Sequence, residues 1–304
     1  MPEQATSVAA PAPRVAWWRT AVVLFKLRVV VLLLVVAVGG AVLAADPWLN
    51  HGAAWPDVLI LLLTGTLSAG GASAINQYLE QDLDARMRRT RKRPLPAGQV
   101  RPPVWALVLG SGMVALALLV AAWHRPQLAW AEAAGAFIYV VVYTLALKRR
   151  TITNIVIGGA AGSAAVISGA AAVGRWNAPE AWALAGLVFL WTPSHFWSLS
   201  LVYKDDYARA GFPMLPVKVA PRTAARWVAV HTLGSVAVAL LMALFPRLGW
   251  PYAALIALPS AYYVHRTLRL LREPTAAQAM RLFHTSNLYL AVVTLAAVLT
   301  ALPG

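Results

Sequence analysis

Residues 57–84 read DVLILLLTGTLSAGGASAINQYLEQDLD, an apolar run that passes without interruption into a series of polar oxygens. After Asp57 the run carries no charge until Glu80, and a helix of that length crosses a hydrocarbon core of about 30 Å. If the helix continues past the membrane edge, Asn76, Glu80 and Asp84 fall at i, i+4 and i+8. They then share one face, with about 6 Å of rise between neighbours. Asp82 points elsewhere on the same helix. The stretch therefore reads as a membrane helix that carries hard oxygen ligands to the bilayer surface.

The same alternation of span and loop runs through the chain on both sides of this stretch. Of the 304 residues, 60% are hydrophobic and 12% charged, with a mean hydropathy of +0.65. That composition excludes an ordinary soluble domain. Apolar runs at 22–45, 57–79, 103–123, 128–147, 154–173, 181–202, 225–245, 250–271 and 281–301 predict an all-α, multi-pass bundle of about nine transmembrane helices. It would enclose a central cavity capped on the cytoplasmic side. Residues 1–16, rich in Ala and Pro, are expected to be a disordered leader, and residues 17–304 one intramembrane domain. The small residues of span five, such as Gly158, Gly159 and Gly162, suit close helix packing. With no cysteine, disulfides, thiolate metal sites, iron–sulfur clusters and cysteine nucleophiles are all excluded.

The net charge of +15 sits mostly in short loops rather than on a soluble basic face, which argues against nucleic-acid binding. Basic residues crowd the N-terminal flank (Arg14, Arg19, Lys26, Arg28) and the loops after spans two, four, six and eight. The opposite loops hold only Arg125, Arg175 and Arg247. By the positive-inside rule the N-terminus is expected in the cytoplasm and the C-terminus outside.

Two of the inner loops hold acids as well, and orientation does not require them. Five of the eleven Asp and Glu residues lie in two short segments: Glu80, Asp82 and Asp84 after span two, and Asp205 and Asp206 after span six. Carboxylates from distant parts of the chain could meet across a cavity and hold magnesium on a diphosphate, because that ion takes a few carboxylates and completes its octahedron with waters and phosphate oxygens. Arg89, Arg93, Lys148 and Arg149 could clamp the remaining phosphate charge. A long apolar cavity beside such a site suits an isoprenyl diphosphate. His195, well inside span six, is costly there unless it faces a partner or a polar cavity. It precedes Asp206 by eleven residues, close to three helical turns, so on a continuous helix both would face the same cavity.

These residues resemble the UbiA-type intramembrane prenyltransferases, whose first motif places acids four and eight residues after an Asn and follows them with Arg-Thr-x-x-Arg-Pro. Here these are Asn76, Glu80, Asp84, Arg89-Thr90 and Arg93-Pro94. The stretches Tyr143 to Arg150, Asn154 to Gly159, Trp191 to Trp197 and Lys204 to Val217 are similar to the heme O synthase branch of that family. Gln77 stands where the aromatic-acceptor branch often has Asp. Glu80 stands where many relatives have Asp, and Ala165-Val166 and Ala170 replace a Pro-Pro pair and a Trp.

The resemblance implies transfer of a farnesyl group from farnesyl diphosphate to a vinyl group of heme B, with water supplying a hydroxyl. It implies metal ligation by Asn76, Glu80, Asp84, Asp205 and Asp206, a catalytic role for these and His195, and donor contacts that add Tyr143, Lys204 and Tyr207 to the basic clamp. It further implies a bacterial inner-membrane location, contact with membrane lipid, and a place beside heme A synthase or a terminal oxidase assembly. An aromatic or quinone-precursor acceptor is the alternative within the family, and a membrane carrier the alternative outside it.

Overall fold

A computed structural model describes residues 16–45 and 55–301; the expected leader, Trp48 and His51 lie outside the described residues. The described residues form helices and no strand. In chain order these are α1 (Trp17–Leu24), α2 (Leu27–Ala44), α3 (Trp55–Arg86), α4 (Val104–His124) and α5 (Pro126–Phe137), the last continued by a π-helix (Ile138–Leu147). Then come α6 (Asn154–Gly158), α7 (Ala160–Ala172), α8 (Pro179–Val202), α9 (Lys204–Arg209) and α10 (Leu215–Lys218). The chain closes with α11 (Pro221–Leu241), α12 (Gly249–Arg272) and α13 (Ala276–Ala301).

Each of the nine apolar stretches folds as helix, and seven of the resulting columns among the described residues are long and apolar enough to cross a membrane. The other two are α8 and α12. In α8 the reason is visible: Ser194, Ser198 and Ser200 are fully buried, so much of its polar content faces other helices and not lipid. Lipid-facing positions elsewhere are large and apolar, among them Leu59, Leu119, Leu258 and Leu295. Exposed tryptophans gather at the two ends: Trp55, Trp123 and Trp250 at one, Trp17, Trp18, Trp105 and Trp227 at the other, as in interfacial belts. The protein is an integral membrane protein.

The first span departs from expectation. The apolar run 22–45 is not one helix: α1 ends at Leu24, and the crossing helix α2 starts at Leu27 after a break at Lys26. Lys26 has φ +48° and ψ +45°, the only non-glycine at positive φ among the described residues. For an L-residue that conformation costs about 1–2 kcal/mol. Gln77 of α3 holds the break, its Nε2 donating to the carbonyls of Val23 at 2.9 Å and Leu24 at 2.7 Å. These are among the last carbonyls of α1; that of Val23 also accepts the Lys26 N–H at 3.3 Å.

Small residues bring α2 and α7 into backbone contact. A Cβ added to Gly169 would lie 1.7 Å from the Ala37 carbonyl oxygen, and one added to Gly40 would lie 2.1 Å from that of Val166. Gly158 is constrained by a side chain instead, because a Cβ there would meet Tyr143 Cδ2 at 2.7 Å. Span five thus packs tightly, and the π-helix is pressed against it.

Candidate functional site

The helix α3 continues unbroken through Arg86, so the ladder forms as its spacing requires: Asn76, Glu80 and Asp84 are all buried, while Asp82 is exposed. Each rung meets a different partner. Asn76 Oδ1 accepts from Lys26 Nζ at 2.8 Å, and its Nδ2 donates to Thr144 Oγ1 at 3.1 Å. Thr144 spends its own hydrogen on the Tyr139 carbonyl at 2.8 Å, five residues back along the π-helix, so its oxygen is left to accept and the orientation of the Asn76 amide follows. Lys26 Nζ also donates to Tyr139 Oη at 2.8 Å, which closes the ring of hydrogen bonds. Burial pushes the Lys26 ammonium well below its usual pKa, with Arg93 and Lys148 acting in the same direction and Glu80 and Asp84 against it. An anion bound beside it would oppose that shift.

Glu80 Oε2 receives Lys148 Nζ at 2.6 Å, and its Oε1 is buried with no hydrogen-bond partner. Lys148 lies 5.4 Å from the centre of the Tyr143 ring and 5.0 Å from that of Phe212. At the third rung the Arg-Thr-x-x-Arg tail folds back on its own helix. Thr90 Oγ1 donates to the Asp84 carbonyl at 2.9 Å, and Arg93 Nη1 reaches the Asp84 carboxylate at 2.6 Å. The same turn meets the second acidic segment, where the backbone N–H of Arg89 donates to Asp206 Oδ2 at 3.2 Å. The Arg89 guanidinium donates to Tyr207 Oη at 3.3 Å and lies over the rings of Tyr203 and Tyr207. Burial raises the Tyr207 pKa, with Arg89 and Arg93 opposing, so its hydroxyl stays protonated. The structure therefore brings Asp84 and Asp206 into contact with one seven-residue turn, although they are far apart in the chain.

At four points the structure departs from the geometry expected. Asp205 is exposed and makes no contact with the ladder, whereas Asp206 is buried and paired with Arg209. Adjacent residues on a helix point about 100° apart, so α9 can turn only one of the two acids inward. Arg149 is exposed, and its guanidinium donates to the Leu79 carbonyl at 3.0 Å, away from the carboxylates. Lys204 is half-buried and joins none of the ion pairs among the described residues. Finally, His195 and Asp206 do not share a continuous helix: α8 ends at Val202, Tyr203 leaves helical geometry, and α9 restarts at Lys204.

His195 instead lies about 10 Å up α8 from its end at Val202. Its ring stacks between Trp191 at 4.3 Å and Phe283 at 4.5 Å. Nδ1 lies 2.8 Å from Ser286 Oγ, which gives its own hydrogen to the Phe283 carbonyl at 2.7 Å. The imidazole must then donate through Nδ1, leaving the Nε2 lone pair as an acceptor.

Lys26, Tyr139, Thr144, Phe212 and Ser286 were not picked out by the sequence reading. Lys26 interrupts an apolar run, which was a usable signal, yet it was counted only as an orientation charge. The pairs Tyr139–Thr144 and Tyr143–Lys148 are five residues apart, a π spacing that no 3.6-residue periodicity reveals.

Asn76, Glu80, Asp84 and Asp206 are the buried hard-oxygen groups that could serve as metal ligands, and one buried carboxylate oxygen among them, Glu80 Oε1, has no hydrogen-bond partner. Among the described residues no three acidic or histidine side chains come close enough to cage an ion alone. Hard oxygens are the donors magnesium takes, and it completes its shell with waters and substrate phosphates.

An all-helical membrane bundle with buried acids and bases at one end of its helices is the architecture of an intramembrane prenyltransferase, and the chain belongs to the UbiA prenyltransferase family, which it matches over residues 31–293. It is 43% identical over 306 residues to protoheme IX farnesyltransferase 1 of Saccharopolyspora erythraea, covering 96% of this chain and 94% of that one. It is also 43% identical over 247 residues to the protoheme IX farnesyltransferase of Roseiflexus castenholzii, covering 80% of this chain but only 46% of that longer relative. The fold is shared with solved structures of low sequence identity. A digeranylgeranylglyceryl phosphate synthase superposes with a TM-score of 0.76 at 16% identity, over 93% of this chain and 98% of the other. A UbiA homolog from Archaeoglobus fulgidus bound to GPP and Mg2+ gives 0.63 at 16% identity, over 91% and 99%.

Proposed function

We propose that the chain transfers a farnesyl group from farnesyl diphosphate to a vinyl group of heme B, with addition of water, to give heme O. The observation that carries the donor half is the single turn, residues 87–93, that ties the buried acids Asp84 and Asp206 together and sets basic side chains around them. The acceptor half is supported by the identity to the protoheme IX farnesyltransferase of Saccharopolyspora erythraea along nearly its whole length.

Asn76, Glu80, Asp84 and Asp206 would hold magnesium, which supplies Lewis-acid charge to a diphosphate leaving group. Arg89, Arg93 and Lys148 add fixed positive charge, and Arg93 and Lys148 are already oriented by carboxylates. Cleavage of the allylic C–O bond leaves a cation beside Tyr139 and Tyr143, whose rings stack at 6.0 Å. Aromatic faces tolerate positive charge, and lysines already lie near both rings. The cation adds to the vinyl carbon, and the new cation next to the porphyrin is quenched by water. His195 is suited to that last step, because Nε2 can accept the proton that water loses while Ser286 fixes the tautomer. The chain would sit in the bacterial inner membrane with its acidic loops on the cytoplasmic side.

The test is incubation of the purified protein with heme B, farnesyl diphosphate and magnesium, followed by mass spectrometry of extracted hemes. One farnesyl chain plus one hydroxyl on the heme is expected, with no oxygen or redox cofactor needed. Unchanged heme beside a prenylated aromatic acid would overturn the acceptor and keep the donor. Absence of diphosphate release would overturn both.

A further inference from the structure

Lys26 is placed at some cost and left uncompensated. Its left-handed backbone would be cheaper for glycine or asparagine, so a lysine there suggests that the side chain is needed. The buried Gln77 amide spends two hydrogen bonds on holding the α1–α2 elbow that aims it. An Asp at that position, with no hydrogen to donate, could not make this clamp. Of the other basic groups at the ladder, Arg93 pairs with Asp84, Lys148 with Glu80 and Arg209 with Asp206, while the Arg89 guanidinium is spent on the Tyr207 hydroxyl and the rings of Tyr203 and Tyr207. Among the described residues Lys26 forms no ion pair and donates only to two neutral oxygens, those of Asn76 and Tyr139. An ammonium has three hydrogens, so one is left over at the first rung of the ladder.

Resting on the donor reading above, we propose that Lys26 is a donor-binding residue whose ammonium holds a diphosphate oxygen of the prenyl donor, and that Gln77 is the positioning residue that keeps it aimed. Arg93 and Lys148 must share their hydrogen bonds with carboxylates, whereas Lys26 meets only neutral oxygens and has a hydrogen left for the ligand.

The experiment is calorimetric titration of the purified full-length chain with inorganic pyrophosphate, at fixed magnesium and without divalent ions, with thermal unfolding followed in parallel. Lys26→Met carries the same backbone burden and loses the charge. It is expected to weaken pyrophosphate binding tenfold or more in both conditions, as for loss of one charge-assisted hydrogen bond, with the unfolding midpoint little changed. Lys26→Arg is expected to recover binding to within about threefold of wild type. Gln77→Leu should raise KM for farnesyl diphosphate by about fivefold with kcat within about twofold, a split that a general loss of structure would not produce. Should the methionine variant fail to fold, Lys26→Gln, which keeps polar contact with Asn76 and Tyr139, carries the same expectation. Wild-type affinity in either uncharged variant overturns the proposal and leaves the donor site standing. A wild-type chain that binds no pyrophosphate even with magnesium overturns the donor reading and this inference with it.

Discussion

The Lys148–Glu80 pair offers a quantitative test of how the site is built. The two groups lie 2.6 Å apart, with side-chain exposures of 12% and 1%. At an effective dielectric of about 20 their attraction is about 6 kcal/mol, most of it offset by the cost of taking both charges out of water. Removing one partner is a different matter, because the other charge stays behind. Lys148→Met leaves a carboxylate with two buried unpaired oxygens, since Oε1 has no partner even in the intact site. Breaking a buried pair this way costs about 3–5 kcal/mol, and the partial exposure of Lys148 argues for the lower end. Glu80→Gln leaves an ammonium that can reach water, and should cost about half as much. The double variant removes both charges and should be more stable than Lys148→Met alone, giving a coupling of about 2 kcal/mol or more. Equilibrium unfolding of the four proteins in mixed micelles, followed by circular dichroism, measures that cycle. If the two single effects add to within about 0.5 kcal/mol, the ion pair is not what holds Glu80 in the bundle, and the electrostatic account of the site fails.

The inward turn of α9 predicts a sharp contrast, in which Asp206→Asn lowers turnover by two orders of magnitude or more while Asp205→Asn stays within about threefold of wild type, as read from steady-state farnesyl transfer. Gly169→Ala must move α2 away from α7 and should destabilise by about 1–3 kcal/mol or more, whereas Gly186→Ala, with nothing within 4 Å of its added Cβ, should be neutral or slightly stabilising; unfolding in the same micelles compares them. Single cysteines at Gln81 and Arg209 should resist a membrane-impermeant thiol reagent in intact cells and react after lysis, and labelling from outside would reverse the proposed orientation.

Whatever depends on neighbours along the chain was readable from the residues alone. Twenty-residue apolar runs must hide their backbone polar groups, and in lipid a helix does this within one segment, so an all-helical membrane bundle followed from hydropathy. The Asn76–Glu80–Asp84 ladder was legible for the same reason, since i, i+4 and i+8 share a face on any helix. The turn after it is equally local, with Thr90 and Arg93 bonded to Asp84 only six and nine residues away, yet the sequence reading had assigned Arg93 to phosphate and did not see that fold-back. Tertiary structure decided everything that depends on where a helix stops or which face meets which. A break at Tyr203 turned Asp206 inward, left Asp205 outside and separated His195 from both. A left-handed residue, clamped by an amide more than fifty positions away, turned Lys26 from a topology signal into a neighbour of Asn76. The tautomer of His195 rests on Ser286, ninety-one residues further on. Periodicity specifies a face, but its partner is chosen by the packing of helices whose contacts no local pattern encodes.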